Sequence, residues 1–287
     1  MRIAILSDIH GNSIALDAVL ADIHTQGGVD QYWVLGDHCA LGYDPMGVIK
    51  RLQALPNATF TYGNSEQYIL SGEYPHPKMP DVEQNIAHLK VYGEVQRSFA
   101  WTQGALVGAG QYDWIANLPL DVRLTLPDGT RLLGVHAAPG IVDGENFCDA
   151  YALDDMEARL VGADADLVIV GHMHWPYNHQ FKRSRVIVTG GIGNPFAADM
   201  RAKYVILEAD EAGYTITFRY VAYDYEAVVA AIEASHHASA EFLLLFARAQ
   251  YVPPWFVGYS ADDLRAVMPK ENHPYRYSSR NGISVGQ

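Results

Sequence analysis

Short apolar runs, each ending at a side chain rich in lone pairs, constrain this chain most. Residues 2–7 (Arg-Ile-Ala-Ile-Leu-Ser) run into Asp8-Ile9-His10, Gln31 to Leu35 closes at Gly36-Asp37, and Ala58 to Tyr62 closes at Gly63-Asn64. Further on, 130–135 closes at His136, and Asp166 to Val170 closes at Gly171-His172-Met173-His174. Runs this short, bounded by small or turn-forming residues, read as buried strands. Between the first three, the apolar period changes to that of a helix. Asn12 can cap a helix whose apolar face includes Ile14, Leu16, Val19, Leu20 and Ile23, and a second helix covers roughly 45–54. Strand, helix, strand, helix, strand in short segments predicts a parallel sheet with right-handed crossovers. In open sheets of this kind ligands gather outside the carboxyl ends of the strands, so Asp8, Asp37 and Asn64 are expected to converge.

The remaining pattern adds a second sheet. Strands are expected at 120–126 and 130–135 across a Pro127-Asp128-Gly129 turn, at 185–189, and at 203–209 and 213–221 as a hairpin. A helical stretch occupies about 80–118, another lies near 150–161, and helices at 227–237 and 240–250 lead to a break at Pro253-Pro254. The predicted fold is α/β: a four-layer α-β-β-α sandwich of two mixed sheets flanked by helices, with a helical insertion and a C-terminal helical extension. The main domain is expected over 1–222, with 223–287 as an extension packed on it.

Composition narrows the function classes. With 49% hydrophobic and 18% charged residues the chain has ample material for a core. No apolar run approaches the ~20 residues needed to cross a bilayer. The first strand reaches Asp8 at once, which leaves no room for a signal peptide, and two cysteines make no disulfide framework, so a cytoplasmic protein is expected. A net charge of −13 disfavours stable nucleic-acid binding, which draws on clustered Lys and Arg. If the substrate is a phosphate, bound cations must supply the local positive charge.

Asp8, His10, Asp37, Asn64, His136, His172 and His174 exceed the needs of one metal ion and suit two cations bridged by a carboxylate. Neutral imidazole with carboxylate oxygen fits Mn, Fe, Co, Ni or Zn, not a thiolate-bound structural zinc. The succession Asp8-Ile9-His10, Gly36-Asp37, Gly63-Asn64, His136 and Gly171-His172-Met173-His174 resembles the calcineurin-like metallophosphoesterases over residues 1 to about 222. That resemblance implies that Asp8, His10 and His174 hold one metal and that Asn64, His136 and His172 hold the other. Asp37 would bridge, two transition-metal ions (manganese or iron favoured) would be the cofactors, and a hydroxide shared by them would attack a small phosphorylated substrate.

One position departs from the family pattern. Many members carry His directly after the Gly-Asn asparagine, where it assists the leaving group; here the residue is Ser65. A serine hydroxyl is a weak general acid at neutral pH, so either the leaving group needs no acid or another group, with His38 a candidate, supplies it. A missing acid points to phosphoanhydrides or activated esters. The glycine-rich Val188–Phe196 loop resembles that of the small bacterial phosphodiesterase branch, and serves either an anion or a tight turn. Ala202–Glu208 and the helical tail are similar to enzymes that hydrolyse diadenosine polyphosphates asymmetrically, which favours a nucleotide-like substrate. Trp101, Tyr112, Trp114, Trp255, Phe256 and Tyr259 could stack a base, though burial in helix packing is the commoner role, and Trp175 is the better-placed residue to line the mouth. Arg97, Lys182, Arg183 and Arg185 could meet outer phosphates but read as solvated surface, as do His236 and His237. The competing readings are a broad-specificity phosphomonoesterase and a catalytically silent scaffold on the same fold. Relatives that serve as scaffolds have degraded ligand sets, whereas all seven ligand positions are filled here. A nuclease is disfavoured by the acidic balance.

Overall fold

A computed structural model of the chain describes residues 1–144, 146–195, 199–250, 263 and 266–277. The first apolar runs form β1 (Arg2–Leu6), β2 (Gln31–Leu35) and β3 (Ala58–Thr61), paired in parallel through the crossover helices α1 (Ser13–Thr25) and α2 (Pro45–Gln53). Asn12 caps α1 as expected, its side chain accepting from the Ala15 amide at 3.0 Å. On the other side of β1, the hairpin β9 (Ala202–Asp210) and β10 (Gly213–Val221) adds antiparallel strands.

The second sheet contains β4 (Asp121–Thr125), β5 (Arg131–Val135), β6 (Leu167–Val170), β7 (Tyr177–Gln180) and β8 (Arg185–Val188) in the order β4-β5-β6-β8-β7. Its inner strands β5, β6 and β8 run parallel, so both sheets are mixed. Strand periodicity sorts the side chains into layers. Ile3 and Ile5 meet Leu132, Leu167 and Ile169 between the sheets, while Ala4 and Leu6 point outward onto Leu16, Val19 and Ile23 of α1. Val168, Val170, Val186 and Val188 cover the opposite outer face with Met156 of α7 (Leu153–Ala158). The result is helix, sheet, sheet, helix, and it explains why β1, β2 and β6 read as apolar runs without alternation.

Between β3 and β4 lie α3 (Asn64–Ser71) and then, over the expected helical stretch, α4 (Met79–Gln84), α5 (Leu89–Gly108) and α6 (Tyr112–Ala116); after β10 come α8 (Tyr225–Ala234) and α9 (Ala240–Ala247). Three elements had no clear sequence signal. α3 starts at Asn64 itself, directly behind β3. Among the described residues β7 and β11 (Pro274–Tyr277) are edge strands, β7 bound only to β8 and β11 only to β10. Neither is an apolar run, and Pro at the first position of β11 is tolerated because an edge strand leaves that amide unpaired. The tail thus returns as a strand after its helices. Trp255, Phe256 and Tyr259, along with Phe196 of the glycine-rich loop, lie outside the described residues.

Candidate metal centre

Five loops leave the carboxyl ends of β1, β2, β3, β5 and β6 and meet at one point. Asp8, His10, Asp37, His172 and His174 all adopt positive φ, between 48° and 65°. For residues other than glycine this costs on the order of 1–3 kcal/mol each, and such strain persists only where the surroundings enforce it. Here the loops are laced together. The Ile9 and His10 amides both donate to the Asp37 carbonyl at 3.0 Å, Gly171 donates to His136 at 2.8 Å, and Gly193 donates to Asp8 at 2.7 Å. Two glycines permit this proximity. A Cβ on Gly36 would lie 2.6 Å from His136 Nδ1, and one on Gly171 would lie 1.8 Å from Ser7 Oγ.

The structure brings the predicted side chains into two overlapping groups, Asp8 with His10 and His174, and Asp8 with Asp37 and His136. Asp37 reaches both sides, with Oδ2 3.5 Å from His10 Nε2 and Oδ1 3.4 Å from His136 Nε2. Asn64 Oδ1 lies 2.7 Å from His136 Nε2 and 3.1 Å from His172 Nδ1.

The outer nitrogens of the four imidazoles set their tautomers. His10 Nδ1 faces Ala40 O at 3.0 Å, His136 Nδ1 faces Leu35 O at 2.7 Å, His172 Nε2 faces Gly144 O at 2.9 Å, and His174 Nδ1 faces Asn194 O at 3.0 Å. A carbonyl only accepts, so each outer nitrogen carries the proton and each neutral ring turns a lone pair inward. His10 Nε2 and His174 Nε2 then confront one another at 3.1 Å, with Asp8 Oδ1 3.4 Å from His174 Nε2. That buried Asp8 oxygen has no hydrogen bond. The Asn64 amide is satisfied with its nitrogen inward, where it donates to both Asp37 oxygens at 3.2 Å, to His136 Nε2 at 2.7 Å and to His172 Nδ1 at 3.1 Å; with its oxygen inward it would face those lone pairs and need a cation between them.

Electrostatics favour neutral rings at His10 and His172 and charged carboxylates at Asp8 and Asp37, and run the other way at His136. Burial pulls His10 down to about 4, against the opposing pull of Asp37. Burial and then His136 lower His172. For His136, burial acts downward but Asp37 and Asp8 outweigh it, and the net direction is up. Burial acts to raise both Asp8 and Asp37, yet the surrounding histidines, His174 foremost for Asp8 and His136 for Asp37, hold each below the usual carboxylate range. Charged carboxylates among imidazoles with inward lone pairs form a donor set suited to a borderline-soft cation.

The two positions considered for proton transfer fall elsewhere. The Ser65 hydroxyl donates to Asp37 Oδ2 at 2.7 Å and its amide to Oδ1 at 2.9 Å, so Ser65 braces the shared carboxylate. His38 is fully buried against Phe60 and Trp114, with Nε2 3.0 Å from Thr61 O, and is absent from the cavity wall. Glu66, to which the sequence pattern assigned no role, accepts from the amides of Asp37 at 2.8 Å, His38 at 2.9 Å and Gly63 at 2.8 Å. Its signal was a capping-box glutamate three residues after Gly63, legible only once a helix is known to begin there.

A cavity of about 530 Å³ opens over the cluster. Its floor includes His10, Asp37, Asn64, His172 and His174, and its wall includes Tyr68, whose hydroxyl donates to Asp143. Burial and the adjacent Asp143 raise the Tyr68 phenol well above its usual range. Trp175 does not line the mouth; it is 1% exposed, because the chain turns it inward behind the metal loop. His237 is likewise not on a solvated face but buried beside Trp101, where burial lowers it to about 4. The glycine-rich loop commits its Ile192 and Gly193 amides to Ser7 and Asp8 and its Asn194 carbonyl to His174, so it braces ligands.

The family profile described as the calcineurin-like phosphoesterase superfamily domain matches residues 1–212. A metallophosphoesterase from Sphaerobacter thermophilus is 26% identical, with a TM-score of 0.66 over 88% of this chain and 100% of that one. A hypothetical protein from Pyrococcus horikoshii, 21% identical, shares the fold with a TM-score of 0.69 over 85% of this chain and 97% of its own. An uncharacterized protein of Methanocaldococcus jannaschii is 26% identical over 246 residues, covering 79% of this chain and 91% of that protein.

Proposed function

This chain belongs to the calcineurin-like phosphoesterase superfamily and is a metal-dependent phosphoesterase, and we propose that it works with two transition-metal ions on a phosphodiester or phosphoanhydride. The observation that carries this reading is the set of four imidazoles whose outer nitrogens are tied to carbonyls, which turns their inner nitrogens onto Asp8, Asp37 and Asn64 and sets His10 Nε2 against His174 Nε2 at 3.1 Å. Asp8, His10 and His174 would hold one ion, Asn64, His136 and His172 the other, and Asp37 both. When bound, such ions make water a nucleophile at neutral pH and neutralise the phosphate. The chain's own residues fix the geometry: Ser65 and Glu66 hold the Asp37 loop, and the Asn194 carbonyl orients His174. Tyr68 is a hydroxyl on the wall, but a raised phenol is a poor acid at neutral pH, which fits leaving groups that depart as stable anions. Similarity at Ala202–Glu208 makes a nucleotide-type substrate one member of that class.

The test combines elemental analysis with hydrolysis of bis-p-nitrophenyl phosphate in manganese. The expected result is two ions per chain and turnover, both lost in Asp37→Ala. An Asp37→Ala protein that keeps two ions and its activity refutes the bridging role. Absence of turnover with every divalent metal refutes the enzyme reading.

A further inference from the structure

Away from the ligand cluster, the cavity runs between α5 and α9 and its walls become apolar. Leu41, Val91, Val95, Phe99, Phe242 and Phe246 line this chamber. Among the described residues no Lys or Arg borders it, and the acidic wall group apart from the ligands is Asp143, held by Tyr68. Arg97, the arginine of α5, is turned outward onto Glu94 at 2.7 Å. The cavity's size falls within the roughly 300–1,000 Å³ common for small-ligand sites, which are mostly apolar with a few placed polar groups.

Resting on the phosphohydrolase reading above, we propose that the substrate is a phosphodiester bearing a single negative charge and one apolar arm, alkyl or aryl, and that the chamber holds that arm. Cations at the floor would neutralise the one reacting phosphate. Further phosphates would lie along an apolar wall beside the Asp143 carboxylate, where among the described residues no Lys or Arg offsets them and the one imidazole outside the ligand cluster, His76, is engaged with Asp81 at 2.7 Å, and uncompensated charge in such surroundings is unfavourable. An apolar arm gains from leaving water there. In the reaction, water's oxygen bonds to phosphorus and the bond from phosphorus to the leaving oxygen breaks. The electron pair departs on that oxygen, a proton from the water passes to solvent, and the arm stays on the product as a monoester.

The experiment uses the full chain loaded with manganese and p-nitrophenyl alkyl phosphates with methyl, butyl and octyl arms, beside diadenosine tetraphosphate. Burial of each methylene is expected to raise kcat/KM about threefold to fourfold, roughly thirtyfold to sixtyfold from methyl to butyl. Diadenosine tetraphosphate is expected to be a poorer substrate than the butyl ester. Val91 is 43% exposed at the chamber, so a carboxylate there would keep contact with water, and Val91→Asp should flatten the dependence on chain length. Equal or falling rates along the alkyl series, or preference for diadenosine tetraphosphate, overturn the proposal while leaving a phosphohydrolase. Failure to cleave any of these compounds overturns both.

Discussion

Glu66→Gln is a near-isosteric change whose effect can be worked out from three hydrogen bonds. Oε2 accepts from the amides of Asp37 and Gly63, and Oε1 from that of His38, all within 2.9 Å. Glutamine keeps one oxygen, best placed where two donors converge, and turns its NH2 toward the His38 amide. That buried donor loses its acceptor, at about 1–3 kcal/mol, and the two retained bonds lose charge assistance, at about 1 kcal/mol each. The sum is about 3–5 kcal/mol. For a chain of this size, at about 2–4 °C per kcal/mol, the midpoint should fall by at least about 6 °C. The same bonds set the Asp37 loop against the Gly63-Asn64 turn, so manganese affinity should fall about tenfold to a hundredfold, as when a ligand's outer partner is removed. Differential scanning calorimetry of metal-free protein and a manganese titration provide the two readouts. A midpoint shift under about 2 °C with unchanged affinity would refute the idea that Glu66 ties the loops together.

Further expectations follow from the same geometry. Ser65→Ala removes the 2.7 Å bond to Asp37 and should lower kcat/KM roughly tenfold without unfolding the chain, checked by kinetics beside circular dichroism; wild-type rates would deny Ser65 its bracing role. His38→Gln should leave the dependence of rate on leaving-group pKa unchanged, because the ring is off the cavity wall; a steeper dependence would restore His38 as a proton donor. In metal-free protein, His10 is held at about 4, below its unfolded value near 6.5, so its contribution is present above pH 6.5 and is lost as pH falls towards 4. The loss amounts to about 3 kcal/mol, and urea midpoints of wild type should fall across that window more steeply than those of His10→Gln. Parallel curves would contradict the buried neutral imidazole.

The fold was legible where burial on both faces suppresses alternation. β6 is apolar end to end, and β1 and β2 are apolar after their first residues, Arg2 and Gln31, because a sheet and a helix layer cover them, and their lengths forbid a helix reading. The candidate ligands were legible for a related reason: a polar residue at the carboxyl end of such a strand has little structural role, so Asp8, Asp37 and His136 stand out against their neighbours. Residues that act across the fold left no such mark. Glu66 and Tyr68 lie on α3, whose start coincides with Asn64 and so was hidden by the very motif that drew attention. Asp143 and Gly144 sit in a loop, and what they do is set by Tyr68 and His172, contributed by distant segments. Trp175 follows the metal loop closely in sequence yet lies in the interior, since the chain bends through His172 and His174, both at positive φ, and a bent segment has no alternation from which facing could be read.

Strain and charge in the site pull in one direction. The left-handed residues cost free energy that their interloop hydrogen bonds must offset, and in metal-free protein those bonds hold lone pairs of His10 and His174 against each other and leave Asp8 Oδ1 without a hydrogen bond. Apolar packing beneath the loops cannot relieve this, because the conflict lies between the ligands themselves. A cation relieves it directly, with no rearrangement of the outer hydrogen bonds. Binding energy is therefore available to the folded state and not to the unfolded chain, where these residues are scattered from 8 to 174. The two carboxylates and four imidazoles that oppose one another in metal-free protein are the same groups proposed to bind the ions. On the proposed reading, stability and catalysis would be coupled through metal occupancy as well as through the hydrophobic core.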